Sequence, residues 1–195
     1  MKTENFESVK LARAASIHQM EFYFYNKMMN GPDMLKHTKG NLLDLAEQGE
    51  FDIIVQGCNC FETMGSGIAR EIKARYPAAY DADLKYSSAG DYHKLGDYSV
   101  MLGKQFNIIN AYTQYGFNSG GTDSDVFEYD SFKLILQKLA HTYLGGRFGF
   151  PYIGMGLAGG DKDRILAMLE DFAKTISRSG GTVTLVEFQP WAYIT

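Results

Sequence analysis

The sequence predicts an α/β fold: three α/β/α layers around a mixed, mostly parallel central sheet. Three observations carry this. Strand-like and helix-like segments alternate through most of the chain, the order that lays down parallel strands by way of crossover helices. Phe51-Asp52-Ile53-Ile54-Val55-Gln56-Gly57 has a continuous β-branched centre, as a strand buried on both faces has. Two glycine clusters, Met64-Gly65-Ser66-Gly67 and Gly154-Met155-Gly156-Leu157-Ala158-Gly159-Gly160, each fall between a strand and a helix. In open α/β sheets, ligands sit beyond the carboxyl ends of the strands, where such loops lie.

Residues 1–33 read as an appendage and 34–195 as the domain. In the appendage, Val9, Leu11, Ala12, Ala15 and Ile17 suggest a short helix. Met20-Glu21-Phe22-Tyr23-Phe24-Tyr25 is too aromatic to be freely solvated; it docks on the domain or binds a partner. Gly31-Pro32-Asp33 is a turn and marks the boundary. Met34–His37 then reads as a strand running into Gly40-Asn41. The strand at 51–57 follows, and after the first glycine cluster Ile68, Ala69, Ile72 and Tyr76 recur at helical spacing until Pro77 stops them. Ala78–Tyr86 reads as another short helix. Asp97–Leu102 and Gln105–Ala111 read as two strands joined by Gly103-Lys104, and 114–125 as a long polar loop. Phe132, Ile135, Leu136, Leu139 and Tyr143 mark an amphipathic helix ended by Gly145-Gly146. Phe148–Ile153 is a strand, Ile165 to Ile176 the last long helix, and Thr182–Phe188 the last strand.

The chain has 195 residues, 45% of them hydrophobic and 22% charged, which excludes wholesale disorder and allows a substantial core. The net charge is −4, against the basic balance of a protein that binds nucleic acid through its phosphates. No apolar run approaches the ~20 residues of a membrane span, and the first thirty residues, with Glu4, Glu7 and Glu21, lack a signal-peptide core. Cys58 and Cys60 are the two cysteines. One residue apart, they complete neither a disulfide framework nor a tetrahedral zinc site, and they read as small buried hydrophobes of a reduced, cytoplasmic protein. The oligomeric state stays open, with a monomer favoured.

Glycine lets backbone approach a ligand closely, and loop N–H groups beside a helix N-terminus attract anions. Two such loops on one rim suggest a ligand with two neighbouring phosphates; tight turns alone are the alternative. No Gly-Lys-Ser/Thr follows either loop, and Gly65-Ser66-Gly67 is too short for a dinucleotide fingerprint. A diphosphate ligand is implied, without nucleotide hydrolysis or hydride transfer. Asn59, at the mouth of a strand, either holds a sugar hydroxyl or a water, or bonds its own turn backbone.

Four segments in order resemble a macro domain, the ADP-ribose-binding fold: Gly40-Asn41-Leu42-Leu43, Asp52 to Cys60, Met64 to Ala69, and Pro151 to Asp161. The similarity runs from about Met34 to Phe188. Cys58-Asn59-Cys60 and Arg75-Tyr76-Pro77 look most like the branch with the fungal ADP-ribose-1″-phosphate phosphatase. The Gly156-Leu157 pair with a following aspartate is similar to the branch that hydrolyses ADP-ribosyl esters on glutamate. Gln56 stands where the fungal type has histidine. The early-strand lysine of the ester-hydrolysing branch has no clear counterpart, only Lys36 and Lys39 nearby.

The resemblance implies a role for each matched residue. Asn41, where many relatives have aspartate, and Leu42 border the adenine. Asn59 faces the distal ribose; Gly65, Ser66, Gly67 and Ile68 wrap one phosphate and that ribose. Gly154, Met155, Gly156, Leu157 and Ala158 wrap the diphosphate. Tyr115, or another aromatic of the long loop, covers the distal sugar. The implied activity needs neither metal nor cofactor: removal of phosphate from ADP-ribose-1″-phosphate, with ester hydrolysis on protein carboxylates or binding without turnover as alternatives. Asn59 and Asp161 are its catalytic candidates. Asp161 activates water or acts as an acid, or it caps the following helix through Asp161-Lys162-Asp163-Arg164, or both.

Overall fold

The computed structural model describes residues 34–117 and 126–189. The readings of residues 1–33, and of 118–125 in the long loop, lie outside the described residues. Six strands form one sheet: β1 (Leu35–Gly40), β2 (Ile53–Asn59), β3 (Tyr98–Met101), β4 (Asn107–Gln114), β5 (Arg147–Phe150) and β6 (Thr182–Phe188). Their order across the sheet is β1-β6-β5-β2-β4-β3. All neighbours are parallel except β3 and β4, the hairpin at one edge. The mixed, mostly parallel sheet expected from the sequence is present.

Successive residues of the central strands feed two cores, which is why those strands read as unbroken apolar runs. Ile53, Val55, Ile109, Ala111, Val183 and Leu185 face one core, shared with α4 (Tyr129–Thr142) and α5 (Lys162–Ser177). Ile54, Ile108 and Val186 face the other, shared with α1 (Leu42–Glu47), α2 (Gly67–Arg75) and α3 (Pro77–Tyr86). In the first core Phe172 of α5 meets Phe148 and Phe150 edge-on, at 5.0 and 5.9 Å between ring centres. Burying each such ring contributes about 1.5–3 kcal/mol. Between them Gly149 turns its bare α-carbon to the second core, where a β-carbon would lie 2.6 Å from Phe51 and 2.8 Å from Leu42.

Several boundaries differ from the sequence reading, for local reasons. β5 stops at Phe150 rather than Ile153, because Pro151 has no N–H to continue the ladder. β1 continues to Gly40, beyond His37. Pro77 both stops α2 and starts α3, where its missing N–H costs nothing. The six-residue α1 was not expected; Asn41 caps it by accepting from the backbone N–H groups of Leu43 and Asp44.

Candidate functional site

The carboxyl ends of β1, β2, β4, β5 and β6 lie on one edge of the sheet, and a cleft opens along it. Gly40, Asn59, Gln114, Pro151 and Phe188, each at or just beyond the end of a different strand, line it. The cleft has two lobes that share Gly67, Ile68 and Pro151. One lobe, of about 690 Å³, is mainly apolar, with Leu42, Ile68, Val186 and Phe188 in its walls and Glu71 and Arg70 at its margin. The other, of about 510 Å³, is lined by both glycine loops together with Asn59, Thr63, Gln114, Phe117 and Tyr152.

Backbone conformation shapes the second lobe. Gly67 has φ of +52° and open space where a side chain would project. Gly154 has φ of +75°, and a β-carbon there would strike the Phe127 ring at 2.3 Å. At Gly65 and Gly156 a β-carbon would meet nothing within 4 Å. The two helices that follow these loops differ at their amino ends. Asp161 closes α5, its Oδ1 accepting from the Arg164 N–H at 2.8 Å. Ser66, at the same place before α2, makes no side-chain capping bond, so the first turn of α2 presents its backbone donors to the cleft.

The structure brings together most of the residues the sequence singled out. Leu42, Asn59, Gly65, Ser66, Gly67, Ile68, Gly154, Gly156, Leu157 and Ala158 all line the cleft. Asn41, Met155, Tyr115 and Asp161 do not line it. Asn41 has its oxygen on the α1 backbone and its amide on Glu71 Oε1 at 2.9 Å. Met155 packs against the core. Tyr115 turns away, its hydroxyl donating to Gly90 O at 3.0 Å and its ring against Phe61 and Tyr92; Phe117 is the aromatic that reaches the cleft. Asn59 is committed to its own turn: Oδ1 accepts from Phe61 N at 2.8 Å, and Nδ2 donates to Thr63 Oγ1 at 2.6 Å.

Gln56 is fully buried and donates to Asn110 Oδ1 at 2.7 Å, within a polar network that continues through Ser99 and Tyr112 to Asp83. It is not among the residues that line the cleft. Burial raises the Cys58 thiol well above its ordinary value and pushes Cys60 up to about 11, so neither is a ready nucleophile. Among the described residues no three His, Cys, Asp or Glu side chains converge as a metal site requires, and no helix is long and apolar enough to cross a membrane.

Thr63, Gln114 and Tyr152 line this lobe without being singled out by the sequence, whereas Phe117 is one of the long-loop aromatics the sequence offers there. Thr63 and Tyr152 lie two residues before Gly65 and Gly154 and enter the lobe with those loops, whereas Gln114 ends β4 and reaches the rim because β4 lies beside β2. Val186 and Phe188 reach the apolar lobe because β6 lies between β1 and β5, an adjacency that strand-by-strand reading does not reveal.

An uncharacterized 17.5 kDa protein from the tk–vs intergenic region of Enterobacteria phage T4 is 30% identical over 166 residues, covering 80% of this chain and 98% of the phage protein. The chain belongs to that protein's family. No protein-family model matches it. Among solved structures, the macrodomain of Thermus aquaticus DarG superposes with a TM-score of 0.60 at 20% identity, over 80% of this chain and 99% of that one. A Trypanosoma brucei macrodomain in complex with ADP-ribose gives a TM-score of 0.54 at 16% identity, over 80% of this chain and 63% of its own. The fold is that of the macrodomains.

Proposed function

We propose that the cleft binds ADP-ribose, with the adenine in the apolar lobe and the diphosphate and distal ribose in the lobe formed by the glycine loops. The observation that supports this most is the joining of those two lobes at Gly67, Ile68 and Pro151, beside the uncapped amino end of α2. An apolar slot suits a base, and backbone donors next to a helix terminus suit phosphates. The ADP-ribose complex of the Trypanosoma brucei macrodomain gives the same ligand class on the same fold.

Turnover is the finer part of the proposal. Removal of phosphate from ADP-ribose-1″-phosphate is the first reaction to test, and release of ADP-ribose from carboxylate esters is the second. Among the described residues lining the glycine-loop lobe, Tyr152 is the one titratable side chain. Hydrolysis there would therefore depend on water held by the turn that Asn59 braces and by the bound phosphates rather than on a resident carboxylate. Binding without turnover is the reading if no product forms. Titration calorimetry with ADP-ribose should show one site per chain. Absence of heat at about 1 mM ligand would overturn the binding reading. Assays for phosphate and for free ADP-ribose, on the two substrates separately, decide between the reactions.

A further inference from the structure

The geometry points to Glu71 as the residue that selects the base, a role resting on the ADP-ribose reading above. Glu71 lies on α2, one turn after Gly67, so the helix that offers its amino end to the phosphates also carries this carboxylate into the margin of the apolar lobe. Glu71 Oε1 is held from two sides, by Asn41 Nδ2 at 2.9 Å and by Arg75 Nη1 at 2.8 Å. Arg75 is fixed in turn by Asp44 at 2.8 Å and Glu47 at 2.7 Å. Oε2 has no partner among the described residues.

The carboxylate is thus oriented but half used. Its second oxygen, unpartnered among the described residues, is an acceptor at the margin of a lobe whose only other charged lining residue among them is Arg70, and an acceptor there rewards a base that presents a donor. Asn41 cannot supply one. Its oxygen is spent on the backbone of Leu43 and Asp44, and its amide is spent on Glu71 itself. The exocyclic amine of adenine donates to Glu71 Oε2, whereas a carbonyl at the same ring position would face the carboxylate with a second acceptor. Glu71 therefore favours an aminopurine over hypoxanthine, and Asn41 acts through it as a positioning residue.

The test compares ADP-ribose with its inosine counterpart, in which hypoxanthine replaces adenine, by titration calorimetry on the wild type, Glu71→Ala and Glu71→Gln. The wild type is expected to prefer ADP-ribose by about tenfold, the scale of one hydrogen bond to a charged acceptor. Glu71→Ala should bring that ratio close to one. Glu71→Gln, which keeps the shape and can donate to a carbonyl, should do the same and guards against misfolding of the alanine variant. Equal affinity of the wild type for both ligands overturns the inference while leaving the ADP-ribose reading intact. So does an equal loss for both ligands in the two variants with the ratio unchanged, which marks Glu71 as a structural clamp only. Binding of neither ligand by the wild type overturns the ADP-ribose reading and this inference with it.

Discussion

Lys94 reaches Glu62 across 3.0 Å with none of its own side chain exposed to solvent. The same ammonium lies 3.2 Å from Asp83, itself buried on α3. Burial pushes the ammonium toward neutrality, but the Glu62 hydrogen bond and the Asp83 charge outweigh it and hold the group above the ordinary lysine value. Glu62 sits in the turn between β2 and the first glycine loop. The ion pair therefore ties that turn to α3 and sets the position from which the loop enters the cleft.

Replacing Lys94 with methionine should leave Asp83 buried with only the Tyr112 hydroxyl, which donates to it at 2.8 Å. Removing one partner of a buried pair costs about 3–5 kcal/mol. Equilibrium denaturation in urea should show a loss of this size. A loss under about 1 kcal/mol would mean that Asp83 and Tyr112 satisfy each other without the ammonium.

Glu62 has a φ of +62°, the one positive value at a non-glycine position among the described residues. Holding an L-residue there costs about 1–3 kcal/mol, which the pair with Lys94 offsets. Two variants separate the terms. Glu62→Ala loses the pair and keeps the backbone strain; Glu62→Gly loses the pair and the strain together. Glu62→Gly should therefore be the more stable variant by about 1 kcal/mol. The reverse order in denaturation midpoints at equal m-values would show that the turn relaxes once the side chain is gone.

The contrast between Ile54 and Lys94 shows what the sequence carried. Ile53-Ile54-Val55 announces a central strand because burial on two faces demands apolar residues at every position, and the same logic exposed β4 and β6. Lys94 gives no such sign. Tyr92-His93-Lys94 carries no apolar pattern, and only the folding of α3 beside it supplies the Asp83 carboxylate that makes burial tolerable. Glycine loops were legible because their conformation is a local requirement. Glu71 and Asn41 were not assigned to each other because their contact joins two helices thirty residues apart in sequence.

Gly65→Glu is the cleanest block of the glycine-loop lobe. A side chain there meets nothing within 4 Å and requires no positive φ, so the fold should tolerate it, with a melting temperature within about 2 °C of wild type. Its carboxylate would stand where the proposed diphosphate lies. Juxtaposing like charges costs several kcal/mol, so ADP-ribose affinity should fall roughly 100-fold. Gly67→Glu should also block binding, but its φ of +52° adds strain and its melting temperature should drop. Undiminished affinity in a folded Gly65→Glu variant would remove this loop from the phosphate site.

Arg147 gives the stability a pH dependence. Its guanidinium and backbone N–H donate to the Asp52 carboxylate, at 2.6 Å and 3.0 Å for the closest contacts of each. The Arg147 hydrogen bonds hold Asp52 below the usual carboxylate range. With a folded value lower than the unfolded one, the folded state binds fewer protons near that range. The contribution is complete above about pH 4, the unfolded value, and is lost as pH falls through the folded one. Asp52→Asn should therefore melt below wild type at pH 7, and the gap should close toward pH 3. A gap that stays constant across this window would place the origin of the effect in packing.

Asp161 and Asn59 separate capping from chemistry. Asp161 accepts from Arg164 N, its own N–H donates to the Tyr129 hydroxyl at 2.8 Å, and it lies outside the cleft lining. Asp161→Ala should cost about 1 kcal/mol of stability, the usual worth of an N-cap, with ADP-ribose affinity and any turnover nearly unchanged. Asn59 lines the cleft, and its side chain organises the turn through Phe61 and Thr63. Asn59→Ala should lower stability by about 1–2 kcal/mol as buried donors lose their acceptor, and it should lower kcat by about 10²-fold if the enzyme turns over, because the distal ribose and water lose their positioning. Melting temperature, ADP-ribose affinity and product formation measured on both variants distinguish the roles. If Asp161→Ala keeps its melting temperature and loses turnover by 10²-fold or more, the scale of a missing general acid or base, the chemistry belongs to Asp161 and the capping assignment fails.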